Sequence, residues 1–345
     1  MQIRPMREAE IPEAVRLWNA AAAREEMVYK PMTEARFRRK FLEGSGCELG
    51  FLLAAAEGDR LAGFAHGVPP MSFPLAQEGK GYLTFLMTAP EDRGRGVGRA
   101  LCGEMERALR ERGADTVLIS DRNPVDLDWR IPGTPGHDHN NAPGLDLDSA
   151  GAGFFERMGF RVRVREIAMY TDLSAWRLAP EIGGIRRRLR QEGIETGVYD
   201  PDWDCEYDRM CDGVGSDYWR AVLRTEIAAW KAGEPNADPR FWADGRRPAG
   251  PRPLLTATHE GRIVGFTGPV DRQESGRGWF TGICTDPGYE RKGIATVLFN
   301  LLMKAFQEEG AAFSTLFTGE ENHARKVYER SGFRVVRHFG LMMKP

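Results

Sequence analysis

The sequence predicts an α/β protein, of the α+β kind with a mixed sheet, in which one folding unit occurs twice. Its 345 residues are more than one ordinary hydrophobic core organises, which favours two domains. Residues 81–98 resemble residues 278–295, and apolar residues at helical spacing follow both stretches. We therefore expect an N-terminal domain at 1–172 and a C-terminal domain at 198–345, joined by a linker at 173–197.

The composition is that of an ordinary globular protein. Hydrophobic residues make up 41% and charged residues 28%, which excludes a disordered chain. The 48 Lys and Arg residues nearly balance the 50 Asp and Glu residues, so no general nucleic-acid partner is expected. The chain has no membrane-length apolar run and no signal-peptide core, which predicts a cytoplasmic protein without a membrane partner. The five scattered cysteines predict neither a disulfide framework nor a zinc site.

Both copies show the same order of elements, in which a helix and a hairpin precede a strand, a glycine loop, a helix, a strand, a short helix and a final strand. In the first copy the predicted elements are a helix at 11–23, a hairpin at 51–68, a strand from Gly81, a helix from Val97 to Gly113, a strand at 116–120 and a short helix before Gly159. In the second copy they are a helix within 217–232, a hairpin at 254–270, a strand from Gly278, a helix from Ile294 to Gly310, a strand at 314–318 and a short helix before Gly332. The basic run at 186–190 is predicted to be a solvated helix face, with phosphate or nucleic-acid binding as the alternative.

The two copies differ in length after the glycine loop. Gly96 and Gly159 are 63 positions apart, whereas Gly293 and Gly332 are 39 apart, so the first copy has 24 additional residues. They fall at about 124–148, in Pro- and Gly-rich sequence for which regular structure is not expected. The sequence His137-Asp138-His139 in this insertion is interpreted as loop polarity rather than a metal site, because adjacent residues rarely chelate one ion together.

The repeated loop has the features of an anion site. A strand that enters a helix through glycines leaves the first helical N–H groups without partners and directed at one place, where a phosphate binds well. Arg93, Arg95, Arg291 and Lys292 add positive charge near the two loops. The P-loop pattern is absent, and each loop follows a hairpin rather than opening a dinucleotide-binding fold.

These residues resemble the GNAT superfamily of acyl-CoA-dependent N-acetyltransferases. Its loop pattern, Arg/Gln-x-x-Gly-x-Gly/Ala, is matched by Arg93, Gly96 and Gly98. The second copy matches it with Gly293 and Ala295 but has Glu290 at the first position. The predicted fold is therefore two GNAT folds in tandem, similar in outline to the double-GNAT proteins of the mycothiol synthase type.

The later family signature distinguishes the copies. The second copy has it in full, with Asn322, Ala324, Tyr328 and the Gly332-Phe333 turn. In the first copy Phe155 replaces the tyrosine, and Ser149 or Ala150 replaces the asparagine. Because the resemblance implies that this tyrosine protonates the departing thiolate, Tyr328 is the predicted catalytic acid, with a half-buried structural role as its alternative.

The resemblance also implies that acetyl-CoA binds in a V-shaped splay between two parallel strands, as a co-substrate and with no metal. The implied binding residues are Met87, Thr88, Arg93, Gly94, Arg95, Gly96, Val97, Gly98 and Arg99 in the first copy, and Ile283, Cys284, Thr285, Arg291, Lys292, Gly293, Ile294, Ala295, Thr296 and Asn322 in the second. Packing is the favoured role of Cys284, over an acyl-cysteine, because nothing in its sequence setting lowers the thiol pKa.

The function implied is transfer of an acetyl group from acetyl-CoA to a primary amine, with the C-terminal domain catalytic and the N-terminal domain supporting. One alternative is a non-catalytic acyl-CoA sensor or scaffold, and another assigns catalysis to the first copy. The general base is left open among Asp217, Glu226, Asp271 and Glu274. The acceptor is also left open, because variable loops select it.

Overall fold

A computed structural model describes residues 1–43, 51–71, 77–119, 125–242 and 246–345. Cys47, Ser120 and Pro124, which belong to features discussed above, lie outside these ranges. The helices are α1 (Ile11–Ala23), α2 (Glu34–Arg38), α3 (Val97–Glu111), α4 (Gly151–Arg157), α5 (Glu181–Gln191), α6 (Asp208–Val214), α7 (Asp217–Ala232), α8 (Ile294–Glu308) and α9 (Arg325–Arg330). Among the residues described, none of these helices combines the length and apolarity that a bilayer crossing requires.

The strands of the first half are β1 (Gln2–Pro5), β2 (Leu52–Glu57), β3 (Arg60–Val68), β4 (Lys80–Thr88), β5 (Thr116–Ile119), β6 (Trp129–Arg130), β7 (Asp138–His139), β8 (Leu145–Asp146) and β9 (Arg161–Asp172). Those of the second half are β10 (Glu195–Val198), β11 (Leu255–His259), β12 (Arg262–Gly268), β13 (Asp271–Arg272), β14 (Arg277–Trp279), β15 (Gly282–Thr285), β16 (Phe313–Gly319) and β17 (Arg334–Lys344). The mixed α/β fold class is confirmed.

The chain divides into two compact units. Unit 1 comprises Met1–Ala168 and Val336–Pro345, and unit 2 comprises Met169–Val335. Strand β9 of the first copy thus ends in unit 2, and strand β17 of the second copy ends in unit 1. The predicted boundaries, which follow the repeat rather than compactness, stay a prediction.

Unit 1 contains a sheet with the strand order β1-β2-β3-β4-β5-β17. Strands β4 and β5 are parallel, whereas β17 is antiparallel to β5 with Met342 opposite Ile119. Helix α3 packs on this sheet through Leu101 and Met105, both fully buried, because its apolar residues recur every three or four positions. Trp18 of α1 packs against Phe85 of β4, with ring centroids 4.3 Å apart.

Unit 2 contains a four-stranded antiparallel sheet with the order β10-β11-β12-β15. Strand β14 is parallel to β16, and Leu173 after β9 donates its N–H to Ala312 O at 2.9 Å. Helix α8 covers the sheet with the buried residues Val297, Leu298 and Leu302. The predicted helix at 11–23 coincides with α1, and α7 lies within 217–232, the range in which a helix was predicted.

The insertion of unit 1 is more ordered than its composition predicts. It contains the two-residue strands β6, β7 and β8, of which β6 pairs with β7 and β8 pairs with β17. Regular structure forms here despite the prolines and glycines because Trp129 is fully buried and its Nε1–H donates to Asn141 O at 2.7 Å. The insertion is therefore a structured part of unit 1.

Candidate functional site

A wedge opens between the two parallel strands of unit 1. Strands β4 and β5 pair at 80–82 and 116–118, and beyond Tyr82 strand β4 pairs with β3 as far as Thr88, opposite Gly63. The register of β4 and β3 shifts at Thr84, whose hydroxyl donates to His66 O at 3.2 Å. The predicted residues Met87 and Thr88 lie at the open end of this wedge.

The loop from β4 to α3 is built around a buried carboxylate. Asp92 is 1% exposed, and its carboxylate binds the guanidinium groups of Arg60 and Arg95. The distance from Arg95 Nη1 to Asp92 Oδ1 is 2.6 Å. Arg95, which the sequence assigns to acyl-CoA, therefore holds the loop itself together, and Arg99 lies exposed on the following helix.

The first turn of α3 faces open space. Gly96 caps the helix with φ 87°, a conformation that glycine adopts without strain. A Cβ atom at Gly96 would meet no atom within 4 Å. Gly94 also has a positive φ, of 76°, and Val97 anchors the turn at 3% exposure. The free N–H groups of this turn thus have room for a phosphate group.

Two members of the loop region border a cavity of about 580 Å³ in unit 1. Arg93 pairs with Glu26 at 2.5 Å, and Gly98 lies beside Phe154 and Thr88, where a Cβ atom would be 3.4 Å from both side chains. The described residues that line it are Ala21, Glu25, Glu26, Met27, Val28, Tyr29, Leu83, Thr84, Phe85, Leu86, Met87, Thr88, Arg93, Gly98, Ile119, Val125, Leu127, Ala142, Gly144, Leu145, Asp146, Asp148, Ser149, Ala150, Gly151, Phe154, Phe155 and Arg337. The wedge, the loop and the insertion therefore meet in one cavity of ligand size.

The cavity contains a phenol, although not at the position of the family tyrosine. Phe155 occupies that position and is 7% exposed. Tyr29, which follows α1, lines the same cavity, with its ring centroid 6.1 Å from that of Phe85. Burial, together with the charge of Asp146, raises the pKa of Tyr29, so its hydroxyl is protonated at neutral pH.

The lining of the cavity includes a cluster of charges. Asp146 is 4% exposed, and its carboxylate accepts two hydrogen bonds from Arg337 of β17, at 2.9 and 2.8 Å. Asp148 lies nearby, with its carboxylate 3.7 Å from Arg337 Nε and 3.1 Å from the backbone nitrogen of His338. None of these residues was predicted from the sequence.

In unit 2 the corresponding strands also diverge. Strand β14 pairs with β16 at Arg277 and Gly278, and the chain then continues as β15 beside β12, with Thr285 opposite Gly265. The predicted residues Ile283, Cys284 and Thr285 belong to β15. Burial raises the pKa of Cys284 to about 12, so the thiol is protonated at neutral pH, as a packing role requires.

The loop of unit 2 is covered on one side by helix α5, which lies within the predicted linker. Arg188 of α5 donates to Lys292 O at 3.0 Å, and Glu192 pairs with Lys292 Nζ at 2.6 Å. Gly293 caps α8 with φ 93°, and a Cβ atom there would be 2.9 Å from Ile185. The two glycine loops thus have the same backbone form and different surroundings.

The remaining predicted residues of unit 2 lie around the start of α8 and before α9. Arg291 has a φ of 60°, Ile294 is 1% exposed, and Ala295 and Thr296 belong to the first turn of α8. Asn322 is exposed, and its Oδ1 accepts from Ala324 N at 2.9 Å, which shapes the turn before α9. The asparagine of the signature therefore has a local structural contact.

Tyr328 is buried on α9. It is 7% exposed, and its ring packs against Phe299, with centroids 4.9 Å apart, and Phe333. Burial raises the pKa of Tyr328 to about 12. A phenol in this environment stays protonated at neutral pH, as a proton donor must.

The four base candidates have distinct environments. Glu226 is completely buried and pairs with Arg252, which also binds Asp271 at 2.8 Å. Glu274 pairs with Arg246 at the surface, and Asp217 is fully exposed at the start of α7. Glu226 and Asp271 thus share one buried cation, which ties both carboxylates to the core of unit 2.

The histidines of the insertion have ordinary contacts. Asp138 pairs with Lys30, and His139 lies beside Trp129, with its Nδ1 accepting from Asn141 N at 3.3 Å. Within the described ranges, no three His, Cys, Asp or Glu side chains are grouped in a way that could hold a metal ion.

Comparison with known proteins agrees with this geometry. The model of the acetyltransferase (GNAT) family matches two segments, residues 12–125 and 218–333. The chain belongs to the GNAT family. The predicted tandem GNAT arrangement is confirmed, and acyl-CoA is the donor that such a fold uses. No curated protein sequence matches the chain closely enough to count as a relative.

Solved GNAT structures resemble the whole chain. A GCN5-related N-acetyltransferase from Sphaerobacter thermophilus has 18% identity and a TM-score of 0.57, with 99% of this chain and 95% of that chain covered. A tandem GNAT protein from the clavulanic acid biosynthesis pathway has 17% identity and a TM-score of 0.50, with 99% and 98% covered. The GCN5-related glucosamine N-acetyltransferase region of a fungal multi-domain GH3 β-N-acetylglucosaminidase has 16% identity and a TM-score of 0.61; the chain covers 38% of that protein. These likenesses show the tandem GNAT fold.

Proposed function

We propose that the protein transfers an acetyl group from acetyl-CoA to the nitrogen of a primary amine. The observation that carries this proposal is the cavity of unit 1, which joins the glycine loop and the wedge to a wall with charged side chains. A cavity of about 580 Å³ bordered by both regions is large enough to take the reacting end of a donor together with a small acceptor. The geometry therefore favours transfer in unit 1.

The donor site follows from the backbone. The first turn of α3, after Gly96, would bind the pyrophosphate through its N–H groups. The open wedge at Met87 and Thr88 would take the pantetheine arm and the thioester. Arg93 would exchange Glu26 for a phosphate, because its guanidinium borders the same cavity.

The acid of unit 1 would be Tyr29. Bound acetyl-CoA supplies the acyl carbon to which the amine nitrogen forms its bond as the carbon–sulfur bond breaks. The amine reacts in its unprotonated form, after any ammonium proton has passed to water. Tyr29 gives its proton to the departing sulfur, the nitrogen loses one proton to water, and water returns a proton to the Tyr29 phenolate. Tyr29 lines the cavity together with the wedge strand, whereas Phe155 has no proton to give.

Catalysis in the C-terminal unit, with unit 1 supporting, is the second candidate. Tyr328 supports it, because this residue matches the family acid, is protonated and lies on the helix that follows the wedge strand. The cover of α5 over Lys292 and Gly293 distinguishes this loop from that of unit 1.

The test is acetyl-CoA binding and turnover by variants of the two loops. Gly96→Val and Gly293→Val would each place a side chain at a left-handed cap. For transfer in unit 1 we expect Gly96→Val to abolish turnover on an amine panel and Gly293→Val to retain it. The opposite pattern supports the second candidate. Tight CoA binding by the wild-type protein without transfer to any amine would instead favour a sensor or scaffold.

A further inference from the structure

The insertion of unit 1 forms part of the wall of the cavity. The residues of the insertion that line the cavity include Val125, Leu127, Ala142, Leu145, Asp146 and Asp148. The second copy lacks these 24 residues, so this wall is a property of unit 1 alone. An inserted segment that builds one side of a substrate cavity is suited to selecting the substrate.

The wall is held firmly in place. Arg130 N donates to Val28 O and Lys30 N donates to Asp128 O, both at 2.9 Å, which joins the insertion to the segment that carries Tyr29. On its other side, β8 pairs with β17, and a Cβ atom at Gly144 would lie only 2.5 Å from Gly340 O. A wall fixed from two sides presents its side chains in one arrangement.

The charged side chains of the wall include more carboxylates than guanidinium groups. Asp146 and Asp148 carry two negative charges beside the single positive charge of Arg337. Asp146 uses both oxygens on Arg337. The Asp148 carboxylate is less tightly paired than that of Asp146, because its side chain is 40% exposed and its distance to Arg337 Nε is 3.7 Å. Its other partners are the backbone nitrogen and the imidazole of His338.

Among the residues that the structure describes, the rest of the charged lining adds no free cation. Arg93 pairs with Glu26, and Glu25 is exposed without an ion pair among the described residues. The lining also includes apolar side chains, among them Val125 and Leu127, which are 5% and 6% exposed. The described part of the lining therefore combines an apolar surface with an excess of negative charge.

We infer that unit 1 binds an acceptor with a cationic amine on an apolar body, and that Asp148 of the insertion receives the ammonium group. This inference rests on the proposed transfer to an amine and specifies which amines. An amino acid would bring a carboxylate close to Asp148 and Asp146, where like charges repel. Arg337 is a positioning residue, because its guanidinium neutralises and orients Asp146.

The test measures binding by calorimetry at pH 8, in the presence of CoA. The probes are phenethylamine and n-hexylamine, with phenylalanine as the zwitterionic match of the first. We expect at least one of the two amines to bind, and phenylalanine to bind at least about tenfold more weakly. Asp148→Asn should weaken amine binding about tenfold, whereas the exposed control Asp59→Asn should leave it unchanged.

Different results would contradict the acceptor site at Asp148 and the proposed acetyl transfer. Binding of an amine that Asp148→Asn weakens, without acetyl transfer, would contradict the function and support the binding site. Transfer to phenylalanine as efficient as to phenethylamine, or amine binding that Asp148→Asn leaves unchanged, would overturn the inference. Lack of binding by both amines would also overturn it. Thermal unfolding of Asp148→Asn at the wild-type temperature excludes a folding defect.

Discussion

Arg337 holds the carboxylate of Asp146 through two parallel hydrogen bonds, 2.9 Å from Nε to Oδ1 and 2.8 Å from Nη2 to Oδ2. The two residues are 191 positions apart in the chain. A bidentate pair of this kind fixes both partners in orientation as well as in distance. In unit 1 it ties the insertion to the last strand of the chain at the wall of the cavity.

Removing Arg337 should destabilise unit 1. Arg337→Met leaves the Asp146 carboxylate, which is 5% exposed, without its cation, at an expected cost of about 3 kcal/mol in the free energy of unfolding. Chemical denaturation measures this cost. The double variant Asp146→Asn/Arg337→Met should recover at least half of it, and the exposed control Arg99→Met should lie within about 0.5 kcal/mol of wild type. Equal losses of stability in the single and double variants would contradict the view that the cost comes from an unpaired Asp146 carboxylate.

Tyr29 and Tyr328 give opposite predictions for the two candidate units. If Tyr29 is the acid, Tyr29→Phe should lower kcat by about 10² or more, with little change in the KM for acetyl-CoA. Tyr328→Phe then serves as the matched control and should keep wild-type turnover. A large loss of kcat in Tyr328→Phe alone would move catalysis to unit 2.

The close approach at Gly144 predicts an effect on the acceptor and not on the donor. An alanine there would bring its Cβ atom to 2.5 Å from Gly340 O, so the backbone of the insertion must shift. Gly144→Ala should raise the KM for the amine about tenfold or more while the dissociation constant for CoA stays unchanged. Gly103→Ala, where a Cβ atom meets nothing within 4 Å, is the control for both measurements. An unchanged KM for the amine would show that the insertion does not form the acceptor wall.

His66 predicts a pH-dependent stability of unit 1. This side chain is completely buried, and burial lowers its pKa to about 3. Between pH 6.5 and 3 the unfolded chain binds a proton that the folded chain does not, so stability is retained above pH 6.5 and falls as the pH is lowered. The expected slope is about 1.4 kcal/mol for each pH unit below 6.

Urea unfolding at pH 7.5, 5.5 and 4.5 measures this slope. His66→Gln should unfold with a shallower dependence on pH than wild type, because it has no imidazole to protonate. The exposed His323→Gln should follow the wild-type curve. Identical pH dependence in wild type and His66→Gln would contradict the buried neutral histidine.

Much of the fold was accessible from short stretches of sequence. Helix α1 coincides with its predicted range, and α7 lies within the range in which a helix was predicted, because apolar residues at three- and four-residue spacing specify an amphipathic helix locally. The cap at Gly96 is equally local, since a left-handed residue between a strand and a helix favours glycine.

The candidate site shows where such reasoning ends. Tyr29, Asp146 and Asp148 belong to segments without a periodic pattern. The greater length of the first copy after its glycine loop was the only signal for the two aspartates, and no signal pointed to Tyr29. The insertion was expected to be irregular, because it is rich in proline and glycine. Its strands are only two residues long, which is too short for a sequence pattern to indicate them. Tertiary hydrogen bonds, such as that of Arg130 N to Val28 O, order it instead.

The sequence by itself determined a tandem GNAT chain with two glycine loops and one complete signature around Tyr328. Those features depend on contiguous residues, whose backbone conformation follows from their neighbours. Only the tertiary structure decided that the cavity of unit 1 is walled by the insertion and by Arg337. The last strand reaches this wall because Met342 pairs with Ile119 of β5, and a choice of strand partner over such a distance depends on packing across the whole sheet.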